Sequence, residues 1–190
     1  MIRSATSEDA EAIARIHNEG IAERVATFET RTQLASQIVA QIESGRLVLV
    51  AERDGRVVGW ASVGPYDDAH DYYSGVGEAT LYVDPDARRG GTGKALLEAL
   101  ADEAERCGYH KLIGKIFSSN LPSIALVRSA GWSQVGIHRR HGRLDGEWKD
   151  VVVVERLLGG ARKAGSRPTP RRSSRRDRRR APPRREPGKR

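Results

Sequence analysis

One stretch, Glu78 to Cys107, constrains the fold more than any other part of the chain. It begins with an apolar, β-rich run from Ala79 to Val83, which ends at Asp84-Pro85 and leads into a loop rich in arginine and glycine. Apolar residues then recur at helical spacing up to Cys107. A strand, a glycine turn and a helix N-terminus in this order predict a site for an anionic phosphate group, because a helix begins with unpaired N–H groups and a positive dipole end.

The loop fits neither of two common phosphate-binding templates. A P-loop requires Lys and then Ser or Thr after its second glycine, whereas Gly93-Lys94 is followed here by Ala95. A dinucleotide-binding turn that started at Gly91 would need a third glycine where Leu96 stands. What remains is an R-x-x-G-x-G pattern over residues 88–93.

The charge of the chain is divided between two segments. Residues 160–190 hold 14 of the 33 Lys and Arg residues and two of the 25 acids, which leaves residues 1–159 with 19 basic and 23 acidic side chains. The net charge of +8 therefore comes from the C-terminal segment, which has almost no apolar residue to bury. We expect one folded domain over residues 1–159 and a disordered tail over residues 160–190. Only this tail favours an acidic partner such as nucleic acid or a membrane surface.

Cysteine content and hydropathy exclude several classes of protein. The single cysteine, Cys107, rules out an internal disulfide and a cysteine metal cluster, and no metal is expected. The chain lacks a charged and apolar N-terminal signal pattern, and it lacks an apolar run of the roughly 18 residues that a membrane span needs. A cytoplasmic, soluble protein is the resulting expectation.

Hydrophobic periodicity and turn signals predict the element order β-α-α-β-β-β-α-β-α-β-β. The first helix follows a cap at Thr6–Asp9 and ends or loosens at Asn18–Gly20. An ordered loop follows, and the second helix covers Thr32–Ser44. The Asp54-Gly55 turn joins two antiparallel strands, whereas the strands on either side of the long helix are predicted to be parallel. The central strand covers Glu78–Val83.

The last two strands are predicted over residues 133–139 and 148–158, joined by a loop that contains Leu144-Asp145-Gly146. A mixed α/β sheet with helices on its faces results from the whole pattern.

With its strand and helix, the loop over residues 88–93 resembles the acetyl-CoA pyrophosphate loop of the GCN5-related N-acetyltransferase (GNAT) family. The predicted element order matches that family's fold over residues 1–158, and Asn120 and Gly131-Trp132 add to the resemblance. The segments RVATFETR (24–31), KIFSSN (115–120) and RRHGRLDGEWKDVVVVERLL (139–158) resemble the branch that contains phosphinothricin and arsinothricin N-acetyltransferases. This resemblance implies the α/β GNAT fold, with a mixed, mostly antiparallel central sheet, helices on both faces and splayed central strands. It also implies a homodimer.

The resemblance further implies acetyl-CoA as the cosubstrate, with no metal. The residues that it places against acetyl-CoA are Leu81, Tyr82, Val83, Arg88, Arg89, Gly90, Gly91, Thr92, Gly93, Lys94, Asn120 and Ser123. Two of these have a second interpretation. The Arg88 guanidinium either reaches a phosphate or only covers the helix, and Asn120 either meets the pantetheine arm or caps the last helix.

For the acceptor side, the resemblance assigns Glu78 as the general base and places His141 near the substrate or the oxyanion. A solvated glutamate at a strand edge and a surface histidine are the respective alternatives. The residues expected to bind the acceptor are Thr27, Phe28, Tyr66, Arg143 and Lys149. Phe28 is equally consistent with an ordinary core position.

Two departures from the family pattern bear on the mechanism and on the acceptor. Val127 stands where many family members carry a tyrosine that protonates the leaving thiolate. The segment PYDDAHDYYSG (65–75) has three acids and no Arg or Lys, whereas relatives that bind phosphinothricin or arsinothricin carry basic residues there.

The sequence therefore predicts transfer of acetyl to the primary amine of a small amino-acid-like acceptor, such as phosphinothricin or arsinothricin. A peptide N-terminus or a polyamine is the alternative acceptor. A binding module without turnover, and a nucleic-acid binder that acts through the tail, are alternatives from other classes.

Overall fold

The computed structural model describes residues 1–159, and the tail predicted over residues 160–190 lies outside them. The strands are β1 (Ile2–Ser4), β2 (Leu47–Arg53), β3 (Arg56–Pro65), β4 (Val76–Val83), β5 (Lys111–Phe117), β6 (Ser133–Leu144) and β7 (Glu147–Leu157). The α-helices are α1 (Ala10–Ala22), α2 (Ala35–Glu43), α3 (Thr92–Arg106) and α4 (Leu121–Ser129). This order confirms the predicted one. None of these helices is long and apolar enough to cross a membrane.

All seven strands form one sheet in the order β1-β2-β3-β4-β5-β7-β6. Neighbouring strands are antiparallel except β4 and β5, which are parallel and are connected through α3. The predicted mixed, mostly antiparallel sheet is confirmed, and its one parallel junction lies at the centre.

Helices cover both faces of the sheet, as predicted. Successive residues of a strand point to opposite faces, so β2 and β3 contribute to two separate cores. The core under α1 and α2 includes Ile13, Ile16, Val48, Val50 and Trp60. The core under α3 and α4 includes Leu49, Ala61, Val63, Leu96, Leu100, Ile124 and Val127.

A buried carboxylate, Asp9, ties β1 to the start of α1. Arg3 donates to both Asp9 oxygens, at 2.7 and 2.8 Å, and the Thr6 backbone N–H donates to Oδ2 at 2.8 Å. The hydrogen bonds from Arg3 hold the pKa of the Asp9 carboxyl below its ordinary value. Because the folded protein then favours the ionised carboxylate, Asp9 stabilises it above the unfolded pKa, and this contribution is lost as pH falls through the lower folded value.

Replacing Asp9 by Asn should therefore lower the free energy of unfolding at pH 7 by about 1.5–3 kcal/mol, the range for hydrogen bonds to charged groups. The loss should shrink when urea unfolding is repeated at about pH 3, below the ordinary aspartate pKa. Asp102→Asn, on the exposed face of α3, is the matched control and should leave stability almost unchanged at both pH values. An Asp9→Asn loss that stays equal at both pH values would contradict the assignment.

The first helix differs from its prediction, because α1 continues through Gly20 to Ala22. Gly20 does not end the helix: a Cβ at this position would lie 2.6 Å from Cδ1 of Tyr82. The glycine instead lets α1 approach the Tyr82 ring in β4. The second helix is shorter than predicted and begins at Ala35. Asn18 holds Gln33 through two hydrogen bonds to its backbone, at 2.8 and 3.0 Å, which keeps the preceding segment out of the helix.

The first strand of the last hairpin is also longer than predicted. Strand β6 continues through His141 to Leu144, so the predicted loop consists only of the turn at Asp145-Gly146. Both turn residues have positive φ, 51° for Asp145 and 83° for Gly146, as in the Asp54-Gly55 turn. In addition, β4 begins at Val76, two residues before the predicted start.

Candidate active site

The parallel junction between β4 and β5 opens into a cleft. The two strands pair only over Val76–Lys111, Gly77–Leu112 and Glu78–Ile113, although β4 continues to Val83 and β5 to Phe117. A cavity of about 490 Å³ lies where they separate, lined by residues 78–82 of β4 and residues 114–117 of β5. The facing edges of both strands therefore offer backbone groups to an extended ligand. The splayed central strands implied by the resemblance are present.

The N-terminus of α3 lies at the end of β4 and has the form of an anion site. The chain turns through left-handed backbone at Arg89 (φ 63°) and Gly91 (φ 81°) before α3 begins at Thr92. A Cβ on Gly93 would lie 2.9 Å from Leu126 and 3.5 Å from Val83. Glycine at this position thus allows close packing of α3 against α4 and β4. The first N–H groups of α3 remain available to a phosphate.

Two basic side chains beside this loop, those of Arg88 and Lys94, contact other protein groups in the structure. Arg88 pairs with Glu23 at 2.8 and 2.9 Å and donates to the Val83 carbonyl at 3.1 Å. Lys94 lies 3.8 Å from Glu98, one turn further along α3. The backbone of residues 90–93 is therefore the main feature that fits a pyrophosphate, and phosphate contact by Arg88 stays a prediction.

Asn120 and Ser123 lie at the beginning of α4 and line the cavity. The Asn120 Oδ1 accepts from the Ser123 N–H at 3.2 Å, and its Nδ2 donates to the Val25 carbonyl at 3.1 Å. The capping interpretation of Asn120 is thus confirmed, and the same side chain ties α4 to the loop that follows α1.

Glu78 is the last residue of β4 that pairs with β5, and the cleft begins directly after it. Its Oε2 accepts from the Lys115 Nζ at 2.8 Å across the opening, and the side chain is 37% exposed. The carboxylate is thus both held in place and accessible from the cavity. Lys115 belongs to a segment that the sequence singled out, but nothing in the sequence indicated that it would pair with Glu78.

Three of the residues expected near the acceptor, Thr27, Phe28 and His141, line the cavity. Phe28 packs edge-on against Phe117, with ring centroids 4.7 Å apart, and belongs to a small apolar cluster. It is both a wall of the cavity and a core residue, so the two interpretations of Phe28 are compatible. The His141 ring stacks on that of His138 at 4.8 Å.

The other three predicted acceptor residues are not brought to the cavity. Tyr66 packs against Tyr73 in the loop after β3, and the Arg143 guanidinium lies 4.4 Å from the centre of the Trp148 ring. Lys149 pairs with Glu147 at 2.6 Å. The structure therefore does not place these side chains together with Glu78.

Sequence reasoning missed His17 as a cavity residue. This buried side chain packs against the rings of Trp60 and Tyr82, which also stack on each other, and its Nε2 is 2.9 Å from the Glu29 Oε2. Burial raises the pKa of Tyr82 to about 12, so its hydroxyl remains protonated at neutral pH. Helical spacing indicated that His17 faces the core, but not that it lines the cavity.

The cavity wall also contains Val127, at the position where family members often carry an acidic tyrosine. No side chain at this position can protonate a leaving sulfur. Within residues 1–159, no group of three or more His, Cys, Asp or Glu side chains is placed to hold a metal ion.

A sheet that parts beside a helix N-terminus suited to phosphate is the architecture expected of an acyltransferase that uses a CoA thioester. Residues 12–132 match the sequence model of the Acetyltransferase (GNAT) family, and the chain belongs to this family. It is an N-acetyltransferase, and its acetyl donor is acetyl-CoA.

Individual relatives cover most of the chain. An L-amino acid N-acyltransferase of Escherichia coli (strain K12) is 34% identical over 161 residues, which are 83% of this chain and 93% of that protein. A phosphinothricin N-acetyltransferase of Alcaligenes faecalis is 30% identical over 162 residues, 83% of this chain and 82% of that protein. The structure of yncA from Salmonella typhimurium with its cofactor acetyl-CoA has a TM-score of 0.81 and 32% identity, and covers 87% of this chain and 98% of that chain.

Proposed function

We propose that the protein transfers the acetyl group of acetyl-CoA directly to the primary amine of a small amino-acid-like acceptor, within a ternary complex. Phosphinothricin, arsinothricin and methionine sulfoximine are the leading acceptors. The observation that carries this proposal is the position of Glu78, at the opening between β4 and β5 and inside the cavity that also contacts the loop after α1. The names of the relatives support an amino-acid acceptor.

The acceptor amine has to lose a proton when it attacks, and Glu78 is the group placed to take it. A general base must lie within hydrogen-bond reach of the proton, directly or through one water. Lys115 holds the carboxylate at 2.8 Å and fixes its orientation toward the cleft. Positioning of the two substrates supplies the rest of the rate.

Acetyl-CoA supplies an acetyl group activated as a thioester. In this chain, the turn over residues 88–93 and the first turn of α3 would hold its pyrophosphate. The β4 edge over residues 80–83 and the start of α4 at Asn120 would hold the pantetheine arm. His141, which also lines the cavity, would orient the acceptor.

A peptide N-terminus or a polyamine is the second candidate acceptor. Asp67, Asp68 and Asp71 lie in the loop between β3 and β4, with Tyr72 73% exposed beside them. An acidic surface with exposed aromatic rings attracts cationic amines. The loop leads directly into β4, so a cationic acceptor would meet it close to the cleft.

The acceptor class can be tested by measuring thiol release from acetyl-CoA with phosphinothricin, arsinothricin, methionine sulfoximine, polyamines and short peptides. We expect turnover with at least one of the first three, with saturation in both substrates and intersecting double-reciprocal plots. No turnover with any of these three would remove the leading acceptors, and turnover with peptides alone would establish the second candidate.

Three further expectations come from the sequence, and of these only the homodimer rests on the family resemblance. We propose that the protein is a homodimer, that it acts in the cytoplasm and that the residues after 159 are dispensable for acetyl transfer. Binding of nucleic acid through the basic tail would require a salt-sensitive affinity that is lost when residues 160–190 are removed.

A further inference from the structure

Arg46 lies immediately before β2, and its guanidinium packs against Gly64 in β3. The Cζ atom is 3.1 Å from the position that a Cβ on Gly64 would take. The guanidinium thus fills the space that any side chain at position 64 would need. It also lines the cavity of the active site, together with Gln41, whose Oε1 accepts from Arg46 Nη1 at 3.2 Å.

This position brings Arg46 next to the proposed base. Gly64 and Glu78 are directly opposite each other in the β3–β4 pair. Directly opposed residues point to the same face of a sheet, with Cβ atoms about 4.5–5.5 Å apart. The guanidinium over Gly64 and the side chain of Glu78 are therefore neighbours on the face toward α1 and α2.

The charges that line the cavity leave Arg46 without an ionic partner. Glu78 pairs with Lys115, and Glu29 lies against His17. Within residues 1–159, no carboxylate lies within ion-pair distance of the Arg46 guanidinium. Because the guanidinium has five N–H donors in a planar fork, it can receive a carboxylate through two parallel hydrogen bonds.

We infer that Arg46 binds the α-carboxylate of the acceptor and selects α-amino acids over amines that lack this group. The inference rests on the proposed function and adds to it the residue that recognises the acceptor. An α-amino acid carries its amine and carboxylate on one carbon, which matches a base and a guanidinium on neighbouring positions of one sheet face. The carboxylate contacts Arg46 and Gln41, and the amine lies beside Glu78.

This arrangement also accounts for the missing basic residues in the loop over residues 65–75. The cation comes instead from the residue before β2, which packs on Gly64. The position of the Arg46 guanidinium depends on glycine at position 64, since a larger residue there would displace it. The predicted basic residues Arg143 and Lys149 are engaged elsewhere, with Trp148 and Glu147.

The test compares each amino-acid acceptor with its α-carboxamide, which keeps the amine and loses the carboxylate charge. In the wild type, we expect KM to be at least about tenfold lower for the free acid, because charge-assisted bidentate bonds are the strong ones. Arg46→Met should raise KM for the free acid toward that of the amide and leave kcat and the amide KM nearly unchanged. Arg46→Lys should restore part of the preference, since it keeps the charge and loses the fork.

Gly64→Ala provides a second variant that keeps the arginine and moves it. The added Cβ would overlap the end of the Arg46 side chain, which can shift without unfolding the strand. We expect it to weaken the preference for the free acid as Arg46→Met does. The matched control is Arg106→Met, which removes an exposed arginine at the end of α3, outside the cavity, and should preserve the preference.

The outcomes separate this inference from the proposed function. If the wild type acetylates free amino acids and Arg46→Met retains the full preference for the acid, the inference is wrong and the proposed function stands. If the wild type acetylates amides or peptides as well as free acids, Arg46 has no selective role. If no free amino acid is acetylated at all, the proposed function fails together with this inference.

Discussion

Replacing Glu78 by glutamine is expected to lower kcat by about 10²–10⁴-fold, the usual contribution of a positioned general base. Glutamine has almost the same shape as glutamate and can still accept a hydrogen bond from Lys115, but it cannot take a proton from the amine. The KM for acetyl-CoA should change little, because the turn and the start of α3 that fit the pyrophosphate are left intact. Steady-state kinetics over pH 6 to about 9 would measure both parameters across the range in which amines begin to lose their protons.

Glu155→Gln is the matched control for this substitution. Glu155 pairs with Lys111 between β5 and β7, so the control also removes one glutamate from a lysine–glutamate pair on the same sheet. Glu155 does not line the cavity, so we expect the kcat of this variant to stay within about twofold of the wild type. Loss of the ion pair should also cost little stability. Near-wild-type kcat for Glu78→Gln at every pH would exclude Glu78 as the base.

Replacing Gly93 by aspartate is expected to raise the KM for acetyl-CoA by at least about tenfold. The new carboxylate would stand in the first turn of α3, where the structure fits a pyrophosphate. Two unit charges about 4 Å apart repel by ~4 kcal/mol at an effective dielectric constant of about 20, and each 1.4 kcal/mol is a factor of ten in affinity. An acidic residue near a helix N-terminus is favourable for the helix itself, so weaker binding would not be a sign of unfolding.

Gly93→Ala distinguishes the effect of the added negative charge from the effect of the added Cβ atom. Alanine adds the same Cβ, which would meet the mobile end of Leu126 at 2.9 Å, and adds no charge. Isothermal titration would measure the affinity of both variants for CoA, and thermal unfolding would measure their stability. We expect the aspartate variant to bind CoA more weakly than the alanine variant. Equal weakening by alanine and aspartate would mean that packing against Leu126, and not repulsion of phosphate, sets the effect.

The parts of the fold that depend on neighbouring residues in the chain could be predicted from the sequence. A two-residue hairpin turn requires positive φ at both of its central positions, and Asp-Gly is a sequence that tolerates this conformation. Asp54-Gly55 therefore identified the hairpin without any long-range information, and both residues have positive φ. The strand, turn and helix around Gly91 are similarly local, and they led to the anion site. These features predicted the element order and the one parallel crossover, whereas the class of cofactor came from the resemblance of the loop over residues 88–93 to the GNAT family.

The misassigned boundaries have long-range causes. Gly20 looked like the end of a helix, but it is small because the Tyr82 ring packs against it from β4. Gln33 is held outside α2 by Asn18, which lies 15 residues earlier. Neither contact changes the hydrophobic periodicity of the sequence. Helix propensity and periodicity alone therefore place the end of α1 and the beginning of α2 at the wrong residues.

The same reason explains which site residues were found and which were not. Glu78, Phe28 and Asn120 were identified from motifs that resemble the family, and the structure places all three at the cavity. Lys115, His17 and Arg46 reach the cavity through strand pairing and helix packing, and no local pattern marks them. Arg143 and Lys149 were chosen for their charge and their position in a motif, whereas their actual partners lie on the surface of the hairpin.

Because β4 and β5 separate beyond Glu78, the active-site cavity is lined by residues from both faces of the sheet. The cavity is bounded by Trp60 and Ser62 on the α1 side of the sheet and by Leu97 and Leu126 on the α3 side. The space between the two strands is therefore continuous with both layers of helices, and an acceptor beside Glu78 and a cofactor beside α3 would meet only at this gap.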